Sequence, residues 1–272
     1  IKKLMEWGVI SSPYITKTEI IKLQQELTRK KSGFSFASIS ILAEILKVDH
    51  AMLLLETQCL HSMKKYFDSL ANQETKAVAR LLKEENFKNA IRLTNELINE
   101  NVEHPKIGKL KEIVAEEIAK DKYCHIIVFA QFRDTIAKIC EELKSIKNAA
   151  PVEFIGQAKK SGKGLSQKEQ VQIINEFKLG FYNILVASQV GEEGLDITET
   201  DVVIFYEPTP SAIRKIQRSG RTARTRAGRI IVLMTKDTRD EAFHWSGFNK
   251  ERKMKRLVHD MQKNQQNLEQ FG

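Results

Sequence analysis

At 272 residues the chain has room for one large domain or two ordinary ones, with ample core in either case. Lys and Arg total 44 against 35 Asp and Glu, a formal net charge of +9, and the sequence pI is near 9.3. That excess favours a polyanionic partner but says nothing about fold. The longest apolar runs fall far short of a bilayer span and the chain opens on no signal-peptide pattern, so neither a helical membrane protein nor a membrane partner is expected.

Cys59, Cys124 and Cys140 are scattered thiols without metal-ligand spacing. They read as reduced, mostly buried residues of an intracellular protein, cytoplasmic or, in a eukaryote, nuclear, and no metal ligand is assigned. Ile1 already lies inside a helical pattern, which reads as the start of a fragment of something longer.

From about Thr16 to Asn101 the spacing predicts helices, and prolines are absent. Ile20, Leu23 and Leu27, then Ile41, Ile45 and Leu46, recur at three and four as a core-facing stripe does. Leu53 to Leu60, Met63, Phe67 and Leu70 continue it, and Phe87, Ile91 and Leu97 mark one more helix. Gly33 and the serines around it form the clearest break. These stripes imply an all-α bundle of four or five helices over 1–103. Lysines and arginines from Lys2 to Arg92 decorate it, and by composition they read as a solubilising surface.

Pro105 follows His104, and the domain boundary falls between Asn101 and Pro105. An amphipathic helix runs from there to about Lys120. The pattern then changes to strands alternating with helices. Strands are expected at Ile126–Ala130, Val152–Ile155, Asn183–Ala187, Val202–Tyr206 and Arg229–Thr235. Helices are expected at Asp134–Ile146, Ser166–Leu179, Ser211–Ser219 and Thr238–Arg252. Such alternation implies βαβ crossovers and an α/β fold with a largely parallel sheet, here over 104–256 with a tail at 257–272.

Gly156 with Gly162-Lys163-Gly164 imitates a phosphate-binding P-loop, but the spacing is one residue too long, and Gly164 stands where the hydroxyl that holds magnesium belongs. With Lys159, Lys160 and Lys163 it reads instead as a basic loop near nucleic acid. No Asp-Glu-x-His or Asp-Glu-x-Asp box appears, so a lobe that grips ATP is expected to be absent from this chain.

Asn183 to Ile197 is an apolar run ending in a turn with Gly191, Gly194 and three carboxylates, as a buried parallel strand delivers polar residues to the carboxyl edge of a sheet. Beyond it lies Gln217-Arg218-Ser219-Gly220-Arg221-Thr222-Ala223-Arg224. From Arg214 to Arg229 there are seven cations and no acid, where surface charges normally alternate. Arg221 and Arg224, three apart, would share one side of a helical turn, and their planar forks suit a phosphate chain.

Together these two stretches resemble motifs V and VI of superfamily 2 helicases, closest to the archaeal Hef and Fanconi anaemia M type. Phe154-Ile155-Gly156-Gln157, Gly164 to Gln170, Phe205-Tyr206-Glu207-Pro208 and Gly228 to Met234 are similar to that family too. The resemblance is strong from about His104 to Met254 and weak before it. It implies a RecA-like second motor lobe, of P-loop NTPase fold, preceded by a helical insertion that contacts duplex DNA. The full protein would be an ATP-dependent DNA helicase acting on forked or branched DNA in repair and fork restart, whereas this chain would be inactive without its N-terminal RecA-like lobe.

The resemblance also implies residue roles. Arg221 and Arg224 would be arginine fingers toward the γ-phosphate of ATP, and Gln217 would orient the phosphate or the attacking water. Glu193, Gly194, Asp196 and Gly220 would line the nucleotide, with magnesium held mainly by the absent lobe. Gln131, Arg133, Gly156, Gln157, Lys168, Ser188 and Gln189 would grip the DNA backbone. Ala223 stands where the family more often has glycine, and Gln189 where a small hydroxyl residue is common. Neither removes a charged group, so activity is expected in the intact protein.

Two other readings stand beside this one: a nucleic-acid-binding module without turnover, and a relative directed at double-stranded RNA. In the tail, Gln265, Leu268 and Phe271 fit the Q-x-x-L-x-x-F spacing of sliding-clamp-binding peptides. Gly272 takes the place of the usual second aromatic.

Overall fold

The computed structural model describes residues 1–156, 164–188, 200–208, 229–250, 252–253 and 256. The chain divides into two compact units, Ile1–Val102 and Glu103–Gly272.

The first unit is all helical: α1 (Lys2–Glu6), α2 (Lys17–Lys30), α3 (Gly33–Thr57), α4 (Leu60–Ala71), α5 (Lys76–Leu81) and α6 (Glu85–Asn99). α2 starts at a capping box, in which Glu19 N–H donates to the Thr16 hydroxyl at 3.3 Å and Thr16 N–H to the Glu19 carboxylate at 2.7 Å. Leu4, Ile10, Ile20, Leu27 and Leu42 close one core, and Phe67 meets Phe87 edge-on at 5.3 Å in the α4–α6 packing.

The break expected at Gly33 and its serines is much shorter than the sequence suggests. It is confined to Lys31, with a left-handed φ of 45°, and Ser32, whose hydroxyl caps α3 by accepting from Ser35 N–H at 3.1 Å. Gly33 is already helical. The helix absorbs the serines that read as loop residues: Ser38 Oγ donates back to the Phe34 carbonyl at 3.0 Å, and Ser35 and Ser38 are buried.

The second unit opens with α7 (Pro105–Lys120), with His104 as its N-cap and Pro105 in its first turn. Then come β1 (Ile126–Phe129), α8 (Arg133–Leu143), β2 (Pro151–Phe154), α9 (Gln167–Lys178), β3 (Ile184–Ala187), β4 (Val202–Phe205) and β5 (Arg229–Val232). A further helix, α10, covers 239–250. The strands form one sheet in the order β2-β3-β1-β4-β5, every pair parallel. An all-α bundle followed by a parallel RecA-like lobe is thus the architecture. β5 ends three residues earlier than expected, at Val232 rather than Thr235, because Asp240 takes the Thr235 N–H at 3.0 Å. The helix expected at Ser211–Ser219 lies outside the described residues.

Register explains why these strands read as unbroken apolar runs. Ile126 pairs with Ile184 and Val202, and these, with Val128, Val186 and Ile204, pack on Ile113 of α7 and Ile136, Ile139 and Leu143 of α8. The alternate residues Ile127, Phe129, Leu185, Val203 and Phe205 pack on Ile174 and Phe177 of α9. In β1, β3 and β4, buried at every position, no place is left for a polar residue, whereas β2 and β5 at the sheet's two ends carry Glu153 and Arg229. Burial raises the Cys124 thiol to about 12 and the Cys140 thiol to about 11, so both are structural rather than reactive. No helix among the described residues is long and apolar enough to cross a membrane.

One ion network ties α7 to α8. Lys138 reaches Glu142 at 2.9 Å and Glu103 at 3.1 Å, and Lys111 reaches Glu142 at 2.9 Å. Burial alone would lower the Lys138 pKa, but hydrogen bonds to Glu142 and Glu103 outweigh it and raise the value above the lysine norm. Hydrogen bonds from Lys138 and then Lys111 lower that of Glu142. The raised lysine contributes stability below its unfolded pKa of about 10.4, lost as pH rises through the folded value. The depressed carboxylate contributes above about 4.3, lost as pH falls through its folded value. Lys138→Met is therefore expected to destabilise the chain by about 1–3 kcal/mol across roughly pH 5–10, with the deficit shrinking below about pH 4. Urea denaturation as a function of pH measures it, and a deficit under about 0.5 kcal/mol at neutral pH would mark a solvated surface network.

Candidate nucleic-acid interface at the carboxyl edge of the sheet

Because every strand runs the same way, the residues following each one gather on a single edge, where open α/β sheets place their ligands. After β1 come Ala130, Gln131 and Phe132, and then Arg133 opens α8. After β2 come Ile155 and Gly156, after β3 Ser188, and after β4 Tyr206, Glu207 and Pro208.

Three hydrogen bonds order this edge. Arg133 Nη2 donates to the Gly156 carbonyl at 3.2 Å, joining the exits of β1 and β2. Ser188 N–H donates to the Phe154 carbonyl at 2.9 Å, joining β2 and β3. Gln131 N–H donates to the buried Glu207 carboxylate, joining β1 and β4. Gln131 itself is exposed, Arg133 half-buried, and Gly156 and Ser188 buried. Lys168 is exposed in the first turn of α9, two residues before Gln170, whose buried amide donates to the Ile155 carbonyl at 2.9 Å.

The anchor of the β4 exit has no counterpart among the residues expected from the sequence. Lys106, from the first turn of α7, donates through Nζ to the Tyr206 carbonyl at 3.1 Å and to Asp240 Oδ2 at 2.6 Å. The ammonium also sits 4.9 Å from the Tyr206 ring centroid. The two side chains are 4% and 0% exposed, so this is a buried ion pair joining α7, β4 and the start of α10. Its partners are 134 residues apart, and no local spacing signals the pairing. Glu207 and Gln170 lie inside stretches that carry the family resemblance, but only the fold shows what they hold.

Of the residues expected to meet nucleic acid, Gln131, Arg133, Gly156 and Ser188 share this edge, and Lys168 lies beside it. Gln157 and Gln189 lie outside the described residues. So do Glu193, Gly194, Asp196, Gln217, Gly220, Arg221 and Arg224, and with them every residue named for ATP. The same holds for Lys159, Lys160 and Lys163 and for Gln265, Leu268 and Phe271 of the tail. Among the described residues the edge offers a guanidinium already bonded to a carbonyl, main-chain amides and a carboxylate, which do not by themselves cradle a triphosphate. No group of three or more His, Cys, Asp or Glu that could hold a metal occurs among them.

Comparison with known proteins covers both units. A model of the helicase conserved C-terminal domain matches residues 105–226, and one of the helical bundle of putative ATP-dependent RNA helicases matches 1–104. The chain is 42% identical over 262 residues, 96% of its length, to a putative ATP-dependent RNA helicase of Methanocaldococcus jannaschii, and covers 33% of that protein. It is 40% identical over 159 residues to the Fanconi anemia group M protein homolog of Mus musculus, covering 54% of this chain and 8% of that one. The chain therefore spans a third or less of these two relatives. The crystal structure of the Pyrococcus furiosus Hef helicase domain is similar with a TM-score of 0.72 and 42% identity, covering 90% of this chain and 52% of that one.

Proposed function

The chain belongs to the superfamily 2 helicases of the Hef and Fanconi anaemia M type, and on that premise we propose that it is the helical bundle and second motor lobe of an intracellular ATP-dependent DNA helicase or translocase. Its substrate would be forked or branched DNA, in repair and replication-fork restart. The observation that carries the reading is the carboxyl edge, where Gln131, Arg133, Gly156 and Ser188 follow three adjacent parallel strands. The exposed Gln131 side chain, the half-buried Arg133 and the Ser188 hydroxyl, set in a row, suit a sugar-phosphate strand. Such contacts carry no base information, so binding should be salt-sensitive and selective for shape.

ATP, once bound with magnesium held mainly by a first lobe, supplies the phosphoryl group to be transferred. On this chain Glu193, Gly194, Asp196 and Gly220 would line it, Asp196 accepting from a ribose hydroxyl. Gln217, Arg221 and Arg224 would face the charge that develops in transfer. Gln157, Lys168 and Gln189 would extend the DNA contact. Alone, the chain would not turn ATP over.

The archaeal relative is named for RNA, which keeps a double-stranded-RNA substrate as the second reading. The Phe154-Ile155-Gly156-Gln157 and Glu207-Pro208 stretches favour DNA. The test is ATP hydrolysis by the chain joined to a first motor lobe, with competition between fork DNA and duplex RNA. Turnover stimulated by forks, and absent in the chain alone, supports the proposal. Stimulation by duplex RNA alone transfers it to the RNA reading, and tight fork binding without turnover leaves a binding module.

A further inference from the structure

α10 carries a surface that neither the sheet edge nor the helicase motifs use. Its inner side is set by the buried Asp240 and Gly247. On the outer side Trp245 is 58% exposed and Phe248 44% exposed. The indole is braced by its own helix: His244 lies 5.4 Å away at 73° and Phe248 6.1 Å away at 87°. Scattered single apolar side chains on a surface are ordinary, but paired aromatics with the larger at the centre of a solvent-facing stripe are not.

The segment beyond Trp245 is cationic. From Lys250 to Arg256 there are five Lys or Arg and the single acid Glu251. Residues 252, 253 and 256 are helical and exposed. Trp245, Arg252 and Arg256 are spaced at seven and then four, the intervals at which residues recur on one face of a helix. Among the described residues no ion pair neutralises Lys250, Arg252, Lys253 or Arg256.

We propose that this face of α10, together with the helical positions 252 and 256 beyond it, is a single-strand contact, with Trp245 stacking on an unpaired base and Arg252 and Arg256 taking flanking phosphates. The inference rests on the nucleic-acid reading above. Aromatic platforms interleaved with cations are how proteins hold single strands without regard to sequence. A duplex covers both faces of each base with its neighbours, so it would use the arginines and leave the indole idle. A protein partner suits the stripe less well, because interface cores are depleted in lysine.

Trp7 and Trp245 are the only two tryptophans, so Trp7→Phe makes Trp245 the sole indole reporter. The chain with that change is titrated with a single-stranded thymidine oligomer and with a blunt duplex of equal length. Stacking predicts that the single strand quenches the emission. It also predicts that Trp245→Ala weakens single-strand binding roughly tenfold while duplex affinity stays within about twofold, and that Trp245→Phe retains most of it. Removing both Arg252 and Arg256 should lower the single-strand salt slope by about 1.4. Unquenched emission with intact binding, or an unchanged Trp245→Ala affinity, overturns the proposal. So does emission that shifts on removing residues 257–272 but not on adding oligomer, which would make the tail the occupant. Fork binding indifferent to Trp245 overturns this inference alone, whereas absence of any nucleic-acid binding overturns the helicase reading with it.

Discussion

Arg221→Ala, made in a protein that joins this chain to a first motor lobe, is expected to lower kcat for DNA-stimulated ATP hydrolysis by ~10³–10⁵, and Arg224→Ala to act in the same direction. Phosphoryl transfer leaves the protein little covalent work, so most of the rate comes from positioning and from positive charge placed where negative charge develops. A finger that acts mainly in the transition state should change kcat far more than KM for ATP. Arg221→Lys should not restore the rate, because an ammonium keeps the charge but lacks the planar fork that meets two oxygens at once. Fork affinity should hold within about threefold, since the proposed DNA contacts lie on other residues. Steady-state hydrolysis alongside fork titration separates these effects. A loss under tenfold in kcat, or a loss confined to fork affinity, would remove both arginines from the catalytic role and place them among the phosphate contacts.

How much could be read in advance divides along physical lines. The runs at Ile126, Ile184 and Val202 were legible as strands because a parallel sheet buried on both faces admits no polar alternation. The serines near Gly33 misled because serine is ambiguous: its hydroxyl opens α3 at Ser32 and is absorbed within it at Ser38. Gln131, Arg133, Gly156 and Ser188 could be named from resemblance, and the parallel sheet is what puts them on one edge. The roles of Arg133 toward the Gly156 carbonyl and of Gln170 toward the Ile155 carbonyl are tertiary, and no periodicity encodes them. Lys106 was the least legible of all. It looks like one more surface lysine at the start of an amphipathic helix, and only the sheet brings Tyr206 and Asp240 to it.

That lysine should carry the largest stability effect in the second unit. Lys106→Met is expected to destabilise it by about 3–5 kcal/mol, because the change removes one member of a pair buried almost completely and leaves the Asp240 carboxylate uncompensated. Asp240 would keep the Thr235 N–H at 3.0 Å, but among the described residues its Oδ1 meets no hydrogen-bond donor, so a stranded charge has little else to hold it. The Tyr206 carbonyl would lose its ammonium donor as well. Asp240→Asn added to Lys106→Met should recover a good part of the loss, since an amide can still accept from Thr235 without stranding a charge. A double-mutant cycle by urea denaturation gives the coupling directly. Full recovery of stability need not restore the edge: Glu207, next to Tyr206, receives the Gln131 N–H, so a looser β4 exit should still weaken the proposed fork contact. If the single variant lies within about 1 kcal/mol of wild type, the pair is marginal rather than an anchor, and the order at the β4 exit must come from the packing of Tyr206 and Phe205 in the two cores.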